Sequence, residues 1–187
     1  AVTRGTDPHI FLVRALDEAG LTEKDVKLVL LQHPDGKTAL LRGDVDAWAG
    51  LDPLMAAAEV ENGAKLFYRK PAANTWGVLN TREAFAAAHP DAIRRVNAVY
   101  EQARQWALAN PAEFRALIVK ETRLPEAVVA KQLERTDLSN PSINAEVAET
   151  ILAAGLALQK AGVVKPDVDV KATVGALIDT RFALPNK

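Results

Sequence analysis

Apolar positions in the first seventy residues alternate between helical spacing and short continuous runs. Ile10, Val13 and their apolar neighbours recur every three or four residues, which predicts a helix over 8–20 with Gly20 just past its end. The apolar, β-branched run at 26–32 instead predicts a buried strand. The same two patterns predict helices at 34–43 and 53–63 and strands at 1–6, 45–50 and 64–69. Strands that alternate with helices at this spacing are typical of βαβ units and a parallel sheet.

The pattern changes near residue 70. Pro, Asn and small residues at 70–77 indicate a linker, and one further strand is predicted at 76–80. The rest of the chain is predicted to be nearly all helix. A first long helix carries an apolar stripe made of Ile93, Val96, Val99, Tyr100, Ala103 and Trp106. Further helices are predicted at 111–122, 125–136, 144–162 and 169–179.

Composition and charge exclude several classes of function. The 187 residues include 23 basic and 24 acidic ones, mixed along the chain, with a net charge of −1 and no cysteine. A basic stripe of the kind that binds nucleic acid is missing, and no apolar run approaches the roughly 20 residues of a membrane span. Without cysteine there are no disulfides and no thiol chemistry. The start at Ala1 indicates that a targeting segment was removed or that the chain is a fragment.

Three turns share one local chemistry. They are Thr6-Asp7-Pro8, Gln32-His33-Pro34 and Leu51-Asp52-Pro53, and each joins a predicted strand to a predicted helix. Proline suits the first helical turn, and Asp7 and Asp52 are predicted N-caps. In a parallel sheet such turns all lie at the carboxyl edge, where open α/β sheets bind ligands. Helix N–H groups and the helix dipole favour an anion there.

Several residues at this edge are candidate ligand contacts. Gly5 lets the backbone approach a ligand closely, the Thr6 hydroxyl can donate to an oxyanion, and Trp48 can wall an apolar pocket. His9, Gln32, His33 and Asp52 are further candidates. For these residues a purely structural role stays open, and for Trp48 a place in the core stays open. His89 is expected to be a helix cap or a surface residue.

Catalytic motifs are missing from the sequence. HExxH, GxSxG, P-loop and GxGxxG patterns do not occur, and three scattered histidines have no metal-ligand spacing. With no cysteine and no plausible Ser-His pair, nucleophilic catalysis is not expected. The sequence therefore predicts a binding protein rather than an enzyme, with no cofactor and no metal.

Long stretches of the chain resemble a known family. "VTRGTDPHIFLVRALDEAGL", "VKLVLLQHPDGKTALLRGDVDAWAGLDPLMAAAE" and "GVLNTREAFAAAHPD" together resemble periplasmic substrate-binding proteins of ABC importers. The resemblance is to the aliphatic sulfonate-binding branch, which is related to taurine- and nitrate-binding proteins. Gly5-Thr6, "GDVDAW" and Asp52-Pro53 in this order carry more weight than any one motif.

The resemblance implies an α/β fold with the two-lobed, type II architecture of periplasmic binding proteins. Residues 1–70 would form the second α/β lobe, 71–80 a hinge or crossover strand, and 81–187 the helical C-terminal part of the first lobe. Family members have roughly a hundred further residues before the position of Ala1, so the N-terminal half of lobe one is expected to be missing. We therefore expect an exposed apolar face on the later helices and a homodimer formed through such a surface.

The resemblance also implies a site and partners. The turn at Gly5-Thr6 would hold the anionic head of the ligand, and Gln32, His33, Trp48, Asp52 and Trp76 would face the cleft. The ligand would be a small organic oxyanion, most simply an aliphatic sulfonate. The protein would lie in the periplasm and present its closed form to an ABC permease in the inner membrane, with no nucleic acid as a partner.

Two other classes share this architecture. Pyrimidine-precursor synthases of thiamine biosynthesis would need reactive residues in the cleft, for which His9 and His33 are the candidates. Ligand-sensing effector domains of LysR-type regulators would follow an N-terminal helix-turn-helix. The residues before Ala1 would distinguish a transport protein, which has a signal peptide, from a regulator, which has a helix-turn-helix.

Overall fold

The computed structural model describes residues 1–73 and 76–183. Within them lie the helices α1 (Asp7–Glu18), α2 (His33–Arg42), α3 (Leu54–Asn62), α4 (Glu83–Ala88), α5 (Pro90–Ala109), α6 (Pro111–Thr122), α7 (Glu126–Glu134), α8 (Ala145–Lys160) and α9 (Val170–Leu177). Short 3₁₀ turns occur at Glu23–Asp25, Pro71–Ala73 and Thr180–Phe182. Residues 74 and 75 of the predicted linker lie outside the described residues. The helical prediction for the second half of the chain is confirmed.

Local sequence signals explain where the helices begin and end. Gly43 and Gly63 take the left-handed conformation, with φ of 76° and 67°, at the C-terminal ends of α2 and α3. Glycine adopts this conformation without the steric cost that a β-carbon adds, so both predicted helix ends are confirmed. The prediction that Asp7 is an N-cap is wrong, because Thr6 takes that position and Asp7 is the first helical residue.

Three extended segments pair in parallel around the start of the chain. Val2 bridges Leu30, donating its N–H to the Val29 carbonyl while the Leu31 N–H donates to the Val2 carbonyl, both at 3.1 Å. On its other side the Ala1 amino group donates to the Ala47 carbonyl at 2.6 Å, and the Ala49 N–H donates to the Ala1 carbonyl at 3.0 Å. The spatial order is therefore 29–31, 1–3, 47–49. The predicted parallel direction is confirmed over these short pairings.

The predicted strands at 64–69 and 76–80 are wrong for the described chain. Neither segment joins a ladder, and Phe67 is 83% exposed. The segments predicted at 26–32 and 45–50 pair only as just described. An apolar run indicates that a segment is meant to be buried, but a strand forms only where a neighbouring segment accepts its backbone hydrogen bonds.

Helix packing joins the two halves of the sequence. Ile10 and Val13 of α1 pack against Ala154 and Ala157 of α8. Ala56 and Ala57 of α3 pack against Val128 of α7, all in a small buried cluster. Small alanine side chains let these helices approach closely. These contacts cross the boundary that the sequence predicts near residue 70, and the division into lobes stays a prediction.

One face of α5 lies open. Of the apolar stripe predicted from the sequence, Val96, Val99, Tyr100 and Trp106 are exposed, with Val99 at 61%. The expectation of an exposed apolar face on the later helices is confirmed. Among the described residues, no helix is long and apolar enough to cross a membrane.

Candidate functional site

The carboxyl ends of two paired segments meet beside the first turns of α1 and α2. The Thr3 hydroxyl donates to the Leu31 carbonyl at 2.7 Å and lies 3.2 Å from Nδ1 of His33. Beside this contact is a shallow cavity of about 380 Å³. It is lined by Thr3, Arg4, Leu30, Leu31, Gln32 and Asp35. The fold thus brings two of the three predicted turns to one edge, as expected for parallel segments.

Free backbone donors accompany this edge. In the described part of the chain, the N–H groups of Thr6, Asp7, Gln32 and His33 have no protein acceptor. They belong to the starts of α1 and α2, where the first N–H groups of a helix have no intrahelical partner. Such groups, together with the helix dipoles, favour a negatively charged ligand.

The tautomer of His33 follows from its contact with Thr3. The hydroxyl of Thr3 has one proton and gives it to the Leu31 carbonyl, so Nδ1 of His33 is the donor to the Thr3 oxygen. In the neutral ring this leaves Nε2 as an acceptor. His33 is half-buried and does not line the cavity, whereas Gln32 is exposed and lines it.

The Thr6 hydroxyl is engaged within the protein. It donates to the Thr3 carbonyl at 2.6 Å, while the Thr6 carbonyl accepts the N–H groups of His9 and Ile10. Gly5, immediately before it, has a φ of 77°. The hydroxyl would have to rotate away from Thr3 before it could donate to an oxyanion.

His9 is enclosed by protein groups. Its side chain is fully buried, Nδ1 accepts the Gly5 N–H at 3.1 Å, and Nε2 lies 2.9 Å from Oε1 of Glu23. Both ring nitrogens are therefore occupied by protein groups. The candidate role of His9 as a ligand contact is not supported, because no face of the ring reaches the cavity.

Trp48 lies against the backbone of two glycines. A β-carbon on Gly36 would come within 2.6 Å of the indole Nε1, and one on Gly50 within 2.4 Å of Cζ2. The indole is half-buried and is not among the residues that line the cavity. Trp48 therefore packs beside the start of α2, next to the candidate site rather than in its wall.

Asp52 is engaged in an ion pair. Arg135, which follows α7, donates from Nε to Oδ2 at 2.6 Å and from Nη2 to Oδ1 at 2.9 Å. Oδ1 of Asp52 also accepts the Ala56 N–H at 3.0 Å, so the carboxylate supports the first turn of α3, but the prediction that Asp52 is the N-cap is wrong, because Pro53 takes that position. This carboxylate has its acceptors filled by protein donors and is not brought to the cavity.

A second carboxylate joins this ion pair. Nη1 of Arg135 lies 2.7 Å from Oε2 of Glu59. Burial acts to lower the pKa of Arg135, but the hydrogen bonds with Asp52 and Glu59 outweigh it, so its pKa is raised. The guanidinium is thus held charged between two carboxylates.

Two other residues complete the comparison with the sequence predictions. Trp76 is half-buried and does not line the cavity. His89 precedes α5, which agrees with its expected place at a helix start, and its ring centre lies 4.9 Å from that of Phe85 with the two planes tilted by 52°.

Sequence reasoning missed Thr3, Arg4 and Asp35, which line the cavity. Arg4 brings a positive charge; its Nη2 donates to the Ala161 carbonyl at 2.6 Å and its Nη1 lies 3.8 Å from Glu23. Thr3 and Arg4 could have been predicted from their position alone, because they directly precede Gly5 in the turn that was predicted to contact the ligand. In the described ranges, no group of three or more His, Cys, Asp or Glu residues could hold a metal ion.

Comparison with curated proteins finds sulfonate-binding relatives. The chain is 32% identical over 155 residues to a putative aliphatic sulfonates-binding protein of Escherichia coli (strain K12), covering 79% of this chain and 47% of the relative. It is 27% identical over 149 residues to a protein of the same description from Bacillus subtilis (strain 168), covering 79% and 45%. The chain thus spans about half the length of the curated relatives it matches.

Solved structures show the same fold. The periplasmic aliphatic sulphonate binding protein SsuA from Escherichia coli superposes with a TM-score of 0.71 at 27% identity, over 91% of this chain and 60% of that one. The alkanesulfonate-binding protein SsuA from Xanthomonas axonopodis pv. citri, bound to MOPS, superposes with a TM-score of 0.73 at 22% identity, over 92% and 60%. The predicted fold class, part of a two-lobed periplasmic binding protein, is confirmed.

A family model places the chain among these proteins. The model described as NMT1/THI5 like matches residues 5–114, more than half of the chain, including both turns at the cavity. The chain therefore belongs to the NMT1/THI5-like family.

Proposed function

We propose that the chain is part of a substrate-binding protein of an ABC importer, and that it binds a small organic oxyanion, most simply an aliphatic sulfonate. The start of α2 and the segment that leads into α1 line one cavity, and this convergence carries the proposal. The relatives that are described as sulfonate-binding support it. The chain matches only 60% of the solved sulphonate-binding protein, so the other part of the cleft would be formed by the kind of segment that lies outside this match.

The cavity offers suitable donors for a sulfonate. The Gln32 amide, the Gln32 side chain and the Arg4 guanidinium can each donate to one of its three oxygens. The free amide of Thr6, two residues after Arg4, would add a further donor. Asp35 is the acidic side chain in the lining, and it opposes a second negative charge nearby. This balance favours a singly charged anion over a doubly charged one, which distinguishes a sulfonate from sulfate.

The apolar tail of an alkanesulfonate has a surface to meet. Leu30 lines the cavity with its side chain half exposed, and covering it would remove apolar area from water. Trp48, packed beside α2, would extend that apolar surface once the tail is longer than the cavity. The proposal therefore includes a preference for longer alkyl chains.

A binding role, and not an enzymatic one, fits His9 best. His9 is enclosed and hydrogen-bonded at both nitrogens, so it has no free lone pair for proton transfer. In keeping with the family, we further propose that the whole protein is periplasmic, that its lobes close about residues 71–80, and that the closed form docks on a permease.

Thermal denaturation against a ligand panel tests the proposal. The panel contains ethanesulfonate, octanesulfonate, taurine, nitrate, sulfate and a thiamine pyrimidine precursor. A ligand at about 100 times its dissociation constant adds roughly 2.7 kcal/mol, which raises the Tm of a chain of this size by about 5–10 °C. A rise with alkanesulfonates that grows with chain length, and is absent with sulfate, is expected. A panel without any rise would contradict sulfonate binding by this chain.

A matched pair of glutamine variants locates the site. Gln32→Ala removes an exposed donor from the cavity, and we expect it to weaken alkanesulfonate binding about tenfold, as for a hydrogen bond to a charged group. Gln102→Ala removes an exposed glutamine on α5, away from the cavity, and should leave affinity unchanged. Equal affinities for the two variants would contradict this placement of the ligand.

A further inference from the structure

A buried histidine joins the start of α1 to the turn before it. His9 is fully buried, although histidine is more often partly exposed. Its two ring nitrogens meet groups of opposite kind: the Gly5 N–H is a donor, and the Glu23 carboxylate is an acceptor. The ring thus connects the Gly5 turn to the 3₁₀ turn at Glu23–Asp25.

These partners determine where the ring proton lies. Nδ1 must be unprotonated because it accepts from the Gly5 amide, and Nε2 must carry the proton because it faces Oε1 of Glu23. The carboxylate in turn is oriented by Arg4, whose Nη1 lies 3.8 Å from the same oxygen. Second partners of this kind commonly fix the tautomer and orientation of a histidine.

The hydrogen bond to Nδ1 constrains the backbone at the candidate site. Gly5 has a φ of 77°. Glycine adopts positive and negative φ about equally well, so an outside contact is needed to keep Gly5 in this conformation. The Gly5 amide is anchored four residues along the chain on a ring that cannot move, because it is enclosed on all sides. This anchor directs the free N–H groups of Thr6 and Asp7.

We propose that His9 is a positioning residue for anion binding: through Nδ1 it holds the Gly5 amide and so keeps the Gly5-Thr6 turn in the conformation that receives the ligand. This inference rests on the proposed function, since the ligand is the oxyanion of the preceding section. His9 itself touches no ligand. The hydrogen bond between His9 Nε2 and Glu23 orients the ring. The hydrogen bond from the Gly5 amide to His9 Nδ1 is the one that affects the affinity for the oxyanion.

Two substitutions separate the two hydrogen bonds of His9. In His9→Asn, the amide group occupies the place of Nδ1 and can accept from Gly5 but does not reach Glu23. In His9→Gln, the amide group occupies the place of Nε2 and can reach Glu23 but offers nothing to Gly5. Both replace an aromatic ring with a primary amide. His9→Asn leaves the larger cavity, so a loss of packing alone would disturb the site more in His9→Asn, which is the reverse of the order expected from the bond to Gly5.

The two variants are compared by amide hydrogen exchange at Gly5 and by the affinity for octanesulfonate. We expect Gly5 exchange to be about tenfold faster, and octanesulfonate binding about tenfold weaker, in His9→Gln than in His9→Asn, as for the loss of one such hydrogen bond. Equal Gly5 exchange in the two variants would overturn the inference whether or not the ligand binds. Different exchange with equal affinity would overturn the link between the turn and the ligand.

The exchange measurement needs no ligand and separates the two proposals. If the unsubstituted protein fails to bind octanesulfonate while Gly5 exchange still differs between the variants, the proposed function fails and the hold of His9 on the turn stands. If the unsubstituted protein binds and the variants are alike in both measurements, the proposed function stands and His9 is not its positioning residue.

Discussion

Arg135 and Asp52, 83 positions apart in sequence, form a two-bonded ion pair that fastens the end of α7 to the start of α3. The Arg135 side chain is only 10% exposed. Removing the Asp52 charge leaves the largely buried Arg135 with one carboxylate partner, Glu59, in place of two. We expect Asp52→Asn to lower the free energy of unfolding by about 2–4 kcal/mol, measured by urea denaturation.

An exposed ion pair on the same helix is the control. Lys131 and Glu134 lie 3.2 Å apart on the surface of α7. Glu134→Gln is expected to change the free energy of unfolding by less than about 0.5 kcal/mol. Similar losses for Asp52→Asn and Glu134→Gln would show that the Asp52–Arg135 pair adds no more than a surface contact.

The close approach of Trp48 to Gly50 makes this position sensitive to one added methyl group. A β-carbon there would lie 2.4 Å from the indole, closer than real contacts allow, so the ring or the backbone would have to shift. Gly50→Ala should destabilise the protein by about 1–3 kcal/mol in urea denaturation. Gly77→Ala, at a position with open space, is the control and should be close to neutral.

The same substitution in a Trp48→Ala background identifies the cause. Without the indole, the methyl group of Gly50→Ala meets no close neighbour among the atoms found near Gly50. In the Trp48→Ala background, Gly50→Ala should then lower the free energy of unfolding by less than about 0.5 kcal/mol. The difference between its effects in the two backgrounds is the coupling energy expected of residues in contact. An unchanged cost in both backgrounds would mean that backbone conformation, and not Trp48, requires glycine at this position.

The exposed stripe of α5 is expected to cause self-association. Val99 and Tyr100 are each more than half exposed and lie among other exposed apolar side chains. Covering such a surface removes apolar area from water. Sedimentation velocity should show a concentration-dependent dimer, and Val99→Glu should return the protein to monomer. Gln105→Glu adds the same charge on the opposite side of α5 and should leave the dimer intact. A monomer at all concentrations would contradict this expectation.

A surface cluster around Glu18 is expected to affect stability in acid. Lys70 Nζ donates to Glu18 at 2.7 Å and the Tyr68 hydroxyl donates at 2.6 Å. The hydrogen bonds from Lys70 and then Tyr68 lower the pKa of Glu18 below its ordinary 4.5. Because the folded pKa is depressed, this contribution is present above the unfolded pKa and is lost as pH falls through the folded one.

Glu18→Gln tests the acid dependence. The variant should be less stable than the unsubstituted protein at neutral pH, and the difference should shrink as pH falls below 4.5. Thermal denaturation measures this difference in stability between pH 3 and pH 7, roughly the range over which a carboxyl group titrates. Glu149→Gln on the surface of α8 removes an equal charge and serves as the control. A pH-independent difference for Glu18→Gln would contradict the assignment.

Local signals in the sequence were enough to locate the helices. Gly43 and Gly63 end α2 and α3 because a left-handed residue is needed after the last helical turn. Pro8 and Pro34 lie in the first turns of α1 and α2 for an equally local reason. The parallel direction of the pairing at Val2 also followed from the alternation of elements. The strand predicted at 64–69 does not form. A strand needs a neighbouring segment to pair with, and residues 64–69 do not by themselves specify one.

The candidate site was predictable in its place but not in its details. Gln32 and the Gly5-Thr6 turn lie at the predicted edge, where the chain passes from an extended segment into a helix. Arg4 and Thr3 were missed because nothing in their neighbours distinguishes a cavity wall from an ordinary exposed segment.

The sequence by itself determined the helix ends, the parallel direction of the first segments and the edge at which the helix starts converge. Each of these features depends on neighbouring residues alone: on which residues can adopt a positive φ, on which lack a backbone N–H, and on the spacing of apolar positions. Only the tertiary structure decided that His9 is enclosed by Gly5 and Glu23 and that Asp52 is paired with Arg135. A side chain's partner depends on which distant segments the fold brings within hydrogen-bond distance, and no local pattern contains that distance.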